Sequence, residues 1–254
     1  MNQFLRSFLK VFLTIFLVVS LLSFVLSLSF YQFTSYDNLQ PRFTSFIDQQ
    51  IAQEVSQTNP DDMNYLLDTV IENCSGNREI NFPIDAQSLI NLNSMKINCS
   101  EINNRTTVAQ MMGIASKSIF NSLYYKEYTC SFPNCVKDIS QNPENLSVMV
   151  SKKANDFFRT LTITFLIISL IWIALLILLS KPKLTCFYNL SVAFIISGLF
   201  FMVSNTMTQI TNDELSKSLI APLAKSITSN FLILLILGGV FLVLGILLRI
   251  FKKK

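Results

Sequence analysis

The chain has no histidine among its 254 residues. That removes Ser-His and Cys-His nucleophile pairs, histidine general bases and imidazole metal ligands. Glycine is scarce as well. The six present, Gly76, Gly113, Gly198, Gly238, Gly239 and Gly245, form neither a P-loop nor a dinucleotide-binding fingerprint, so nucleotide and dinucleotide chemistry have no foothold. Charge is thin too, at 14% of residues against 51% hydrophobic, a balance that no ordinary soluble domain keeps.

Four stretches contain no Asp, Glu, Lys or Arg and are long enough to cross about 30 Å of hydrocarbon. They run over residues 11–31, 160–180, 184–207 and 226–248. Proton relays, coupling-ion sites and voltage sensors place ionisable groups inside such spans, and here there are none, so a pump or ion-coupled transporter is disfavoured. Trp172 is the single tryptophan; it falls near the middle of the second stretch, where it packs rather than anchors at an interface.

What charge there is lies asymmetrically. Residues 1–10 hold Arg6 and Lys10, the turn at 181–183 holds Lys181 and Lys183, and the tail at 249–254 holds Arg249 and Lys252 to Lys254. These eight basic residues have no acidic companion. The positive-inside rule assigns all three segments to the cytoplasm. Residues 32–159 carry 10 basic and 14 acidic residues and fall outside, as does the loop at 208–225 with two of each. The net +4 is thus a topology signal, with no nucleic-acid partner implied. The first apolar stretch exceeds a signal-peptide core of about 7–15 residues and no Ala-x-Ala site follows it, so it reads as an uncleaved anchor.

Cys74, Cys99, Cys130 and Cys135 all lie in the large loop, and Cys186 stands alone at the cytoplasmic end of the third span. Four cysteines on an oxidising face imply two disulfides with three connectivities open, of which local closure favours Cys74 with Cys99 and Cys130 with Cys135. A zinc site would need two close pairs about two to four residues apart, which this spacing does not supply. Asn73, Asn98, Asn104 and Asn145 head Asn-x-Ser/Thr triplets in the same loop and are glycosylation candidates. Cys186 reads as a small buried thiol rather than an acylation site.

Helix signals dominate the loop. Phe43, Phe46, Ile47, Ile51 and Val55 recur at helical spacing. Asn59 and Pro60 open a second helix, with Asp61 and Asp62 set against its dipole. Val108, Met111, Met112, Ala115, Ile119 and Leu123 give a third helix its apolar face. A fourth starts at Asn142-Pro143-Glu144 and, with no breaker before Ser180, is expected to run unbroken into the second span and couple the domain rigidly to the membrane. Leu215, Leu219, Ile220 and Leu223, near Pro222, make the 208–225 loop partly amphipathic.

Small polar residues remain inside the spans: Ser20, Ser23 and Ser27 on the first, Asn189, Ala193 and Ser197 on the third. Such stripes let helices approach closely. They serve packing first and are also candidates for an oligomer interface or a pore lining. The layout is similar to that of tetraspanins and claudins, but no Cys-Cys-Gly motif and no first-loop tryptophan occur, and no family is assigned.

The expectation is therefore an all-α integral membrane protein of the plasma membrane, with four transmembrane helices, both termini cytoplasmic and a small disulfide-stapled helical extracellular domain between the first two. It needs no cofactor and no enzyme activity is expected. Its partners are the lipid bilayer and either a second protein of the membrane or envelope or further copies of itself. The alternative function is a homo-oligomeric channel or permeability factor lined by the small residues of the first and third spans.

Overall fold

A computed structural model describes residues 3–55, 60–75, 77, 79–82, 95–103, 105–140, 143–180, 184–199 and 214–251. In chain order the elements are α1 (Gln3–Phe33), α2 (Tyr36–Val55), α3 (Pro60–Cys74), β1 (Glu79–Phe82), β2 (Met95–Asn98), α4 (Val108–Tyr124), α5 (Phe132–Lys137), α6 (Lys152–Leu179), α7 (Leu184–Leu199) and α8 (Glu214–Phe251). The chain divides into two compact units, Met1–Phe33 with Asp156–Lys254, and Thr34–Asn155.

Among the described residues, three helices are long and apolar enough to cross a membrane: Ser7–Phe33, Lys152–Leu179 and Leu223–Phe251. At 1.5 Å per residue each reaches about 40 Å. The fourth apolar helix, α7, is described over 16 residues, and the rest of the stretch expected to span, 200–207, lies outside the described residues. These helices are apolar on every face, so polarity does not choose which side packs. On α1 the inward stripe is Leu13, Leu17, Leu21 and Val25, and the opposite stripe of Val11, Ile15 and Val19 is exposed. The shared core adds Leu176 of α6, Leu190, Ala193 and Phe194 of α7, and Ile227, Phe231 and Leu234 of α8.

Glycine sets the closeness of α7 and α8. A Cβ on Gly198 would stand 2.9 Å from the Cβ of Leu235 and 3.1 Å from its Cα, and one on Gly238 would stand 3.0 Å from the backbone nitrogen of Ile195. Only a residue without a side chain allows the two backbones to meet like this.

Two boundaries differ from the sequence reading. Helix α8 begins at Glu214 and passes through Pro222, so much of the loop expected at 208–225 is helical. Pro222 removes one backbone donor, but the strong helix formers around it, Ala221, Leu223, Ala224 and Lys225, carry the helix on. Helix α6 begins at Lys152, because Pro143–Val150 winds as 3-10 helix and the chain bends at Ser151. The buried Ser151 caps the new helix: its Oγ donates to Val148 O at 2.6 Å and accepts from Ala154 N at 3.4 Å.

Among the described residues the regular structure of the second unit is helical apart from one antiparallel hairpin, β1 with β2, registered Glu79 to Asn98, Ile80 to Ile97, Asn81 to Lys96 and Phe82 to Met95. This hairpin departs from the all-helical expectation for the domain. Four-residue strands are too short to raise a period-2 signal, and the Cys74–Cys99 bridge beside them supplies the constraint that local sequence does not. Helix α3 starts at Pro60 as expected; the cap expected at Asn59 lies outside the described residues.

Helix α4 carries the unit's core. Thr107 and Gln110 form a reciprocal capping box at its start. Its buried face is Ser116, Phe120, Leu123 and Tyr124, while Val108, Met111, Met112, Ala115 and Ile119 are half-buried, so the expected face is rotated. Aromatic packing turns it. Phe120 lies 5.4 Å from Tyr36 and from Phe43 of α2, and Tyr36 meets Tyr124 edge-on at 5.3 Å. The polar tips are satisfied, with Tyr36 donating to Asn121 Oδ1 at 2.7 Å and Tyr124 donating to Thr34 O at 3.3 Å.

Candidate interaction surfaces and polar contacts

Both disulfides are present in the connectivity that local closure favours. Cys74 pairs with Cys99 across 25 residues, and Cys130 with Cys135 across five. In the chain-entropy view these closures contribute about 3 and about 2 kcal/mol. The smaller loop is tied down from outside: Lys153 Nζ donates to Tyr128 O at 2.7 Å, and the Tyr128 hydroxyl bonds the Ser147 hydroxyl at 2.8 Å. Burial of the Tyr128 ring raises its pKa above the ordinary value, opposed by the Ser147 hydrogen bond.

The acceptor asparagines stand in different settings. Asn73 is exposed in the last turn of α3, and Asn98 is exposed at the end of β2. Asn104 lies outside the described residues, and Asn145 falls within the 3-10 stretch Pro143–Val150.

A shallow cleft opens on one side of α4, lined by Glu101, Asn103, Thr106, Gln110, Gly113, Ile114 and Lys117. Its rim carries a partly exposed ion pair, Lys117 to Glu101 at 3.7 Å, of little energetic weight on its own. Asn103 and Thr106 hold the turn that forms its wall, with Asn103 N donating to Thr106 Oγ1 at 2.9 Å and Arg105 N to Asn103 Oδ1 at 2.9 Å. Gly113 forms part of the lining, and among the described residues a Cβ placed there would touch nothing within 4 Å. Among the described residues, no three acidic or cysteine side chains gather as metal ligands. The sequence reading missed this cleft, although a glycine inside a strongly capped helix was a visible signal.

The intramembrane small residues are placed as follows. Ser20 and Ser27 are buried and donate to Leu17 O at 3.0 Å and Phe24 O at 2.9 Å; Ser23 is half-buried. Ser20 also accepts from Ser169 of α6 at 3.1 Å, which joins the two helices beside the contact of Phe16 with Trp172 at 5.4 Å. On α7, Asn189 is half-buried, Ala193 is buried, and buried Ser197 donates to Ala193 O at 2.8 Å. The hydroxyls of Ser20, Ser27 and Ser197 are thus turned to helix carbonyls and helix packing. Cys186 is a buried thiol.

A second polar cluster was not anticipated. Asn230 of α8 donates through Nδ2 to Ser29 Oγ at 3.0 Å and Gln32 Oε1 at 3.1 Å, and Ser226 donates to the same Gln32 oxygen at 2.9 Å. These bonds tie the last turns of α1 to α8. An Asn within an apolar helix was the available clue.

Comparison of the chain with protein-family models, with curated proteins and with solved structures found no match.

Proposed function

We propose that the protein is a non-enzymatic, four-span protein of the plasma membrane, with both termini cytoplasmic and Thr34–Asn155 outside, where it engages another component of the membrane or envelope. The fourth span is the uncharged stretch 184–207, of which α7 is the described part. The charge asymmetry of the chain supports the orientation, with eight basic and no acidic residues in the three short segments.

The observation that carries the interaction reading is Gly113. A glycine in a helix interior costs about 1 kcal/mol against alanine, and among the described residues nothing packs on this one that would require it. It lines a cleft with a cation and an anion at its rim, and so leaves room for a partner to approach the backbone of α4 closely.

Native mass spectrometry of the full chain, extracted gently from its own membrane, tests the reading. A second polypeptide that is retained by the wild type and lost from Gly113→Leu supports it. Leucine is a better helix former than glycine, so loss of the partner would not reflect a weakened helix. A partner retained equally by both, or no partner at all, would sink it. The small-residue stripes spent on internal carbonyls give the channel alternative no comparable support.

A further inference from the structure

The two Asn-Cys-Ser triplets are joined through their own central residues, since the bridge links Cys74 to Cys99 with Cα atoms 5.2 Å apart. Consecutive Cα atoms are 3.8 Å apart, so Asn73 and Asn98 stand within about 13 Å of each other. Both are exposed, and each has room for a glycan in the folded unit.

Neither is held in a form a transferase can take up. N-glycosylation needs a pliable acceptor segment, able to enter an enzyme groove with the amide and the hydroxyl two residues on turned toward the catalyst. In the folded unit Asn73 Nδ2 donates to Thr69 O at 2.9 Å, and Ser75 Oγ donates to Glu72 O at 2.7 Å, so this triplet is wound into the end of α3. Asn98 is paired opposite Glu79 in the hairpin, and its Oδ1 accepts from Ser100 N at 3.1 Å. The bridge pins both arrangements together.

We propose that closure of the Cys74–Cys99 bridge and N-glycosylation at Asn73 and Asn98 compete, each asparagine accepting a glycan only while the bridge is open. The proposal rests on the external placement of Thr34–Asn155. In transfer, Nδ2 bonds to the anomeric carbon of a lipid-pyrophosphate oligosaccharide, the bond from that carbon to the pyrophosphate oxygen breaks, and the amide proton leaves with the pyrophosphate. In closure, the two thiols give up two protons and two electrons to the disulfide of an oxidoreductase, which becomes a dithiol. Neither reaction consumes the other's group. Closure withdraws the conformational freedom that transfer needs.

The test reads occupancy at each asparagine by peptide mass, in the full chain expressed in insect cells, for wild type, Cys74→Ser and Cys99→Ser. Each variant opens the bridge and leaves the distant triplet untouched. Occupancy at Asn98 in Cys74→Ser and at Asn73 in Cys99→Ser should rise severalfold over wild type. Equal occupancy, or no glycan at either site in any form, would overturn the proposal. Wild type grown with dithiothreitol carries no substitution, and there both sites should rise. An impermeant thiol reagent on intact, reduced cells reads the side separately. Labelling with unchanged occupancy sinks the competition alone, and no labelling sinks the topology together with it.

Discussion

Neighbouring glycines in α8 should respond to the same substitution with opposite signs. In Gly238→Ala the new methyl would stand 2.8 Å from Ile195 Cγ1, which can swing away, and 3.0 Å from the Ile195 backbone nitrogen, which cannot. Ordinary carbon contacts lie at about 3.5–4.0 Å, so α7 and α8 must part locally by about half an ångström, a gap that already forfeits roughly a quarter of each facing contact. Overpacking of this kind costs about 1–3 kcal/mol, while alanine returns up to about 1 kcal/mol of helix propensity. The net is a loss of about 1–2 kcal/mol. Among the described residues a methyl on Gly239 meets nothing within 4 Å, so Gly239→Ala should gain up to about 1 kcal/mol. The difference of about 2 kcal/mol is more than tenfold in the unfolding equilibrium. Titration with dodecyl sulfate in mixed micelles, followed by circular dichroism, should place the Gly238→Ala midpoint well below that of Gly239→Ala. Coincident midpoints would refute the close approach of α7 and α8.

Asn230→Leu removes both hydrogen bonds from its Nδ2 while keeping a branched side chain, and should cost about 1 kcal/mol in the same titration, whereas Thr228→Val, which loses only a bond to Ala224 O, should change little. Replacing Cys74 and Cys99 by serine should lower the stability of Thr34–Asn155 by about 3 kcal/mol, and the same change at Cys130 and Cys135 by about 2, read by protease susceptibility of the full chain in detergent. For Tyr128 the folded pKa is raised, so its contribution to stability is whole below the ordinary tyrosine pKa of about 10 and is lost as pH rises through the higher folded value. Phenolate absorbance should lose a late-titrating component in Tyr128→Phe.

How far the chain could be read from sequence follows the physics of each signal. Three long apolar helices and the disulfide pairing were legible because each rests on a strong one-dimensional cue: length without charge, and cysteines close enough to close locally. The start of α6 was missed because its marker is a single serine, Ser151, whose capping role shows only once Val148 and Ala154 are seen around it. The face of α4 was misjudged for a different reason. Spacing alone cannot rank Met111 against Phe120, and the choice is made by Tyr36 and Phe43, more than 70 residues earlier in the chain. In the membrane the ambiguity is sharper still, since buried Leu13, Leu17 and Leu21 and exposed Val11, Ile15 and Val19 are alike apolar and hydrophobicity does not sort them. There the informative residues are those that break uniformity, and two of them set the pairing of helices: Gly238, by letting backbones touch, and Asn230, by demanding an acceptor.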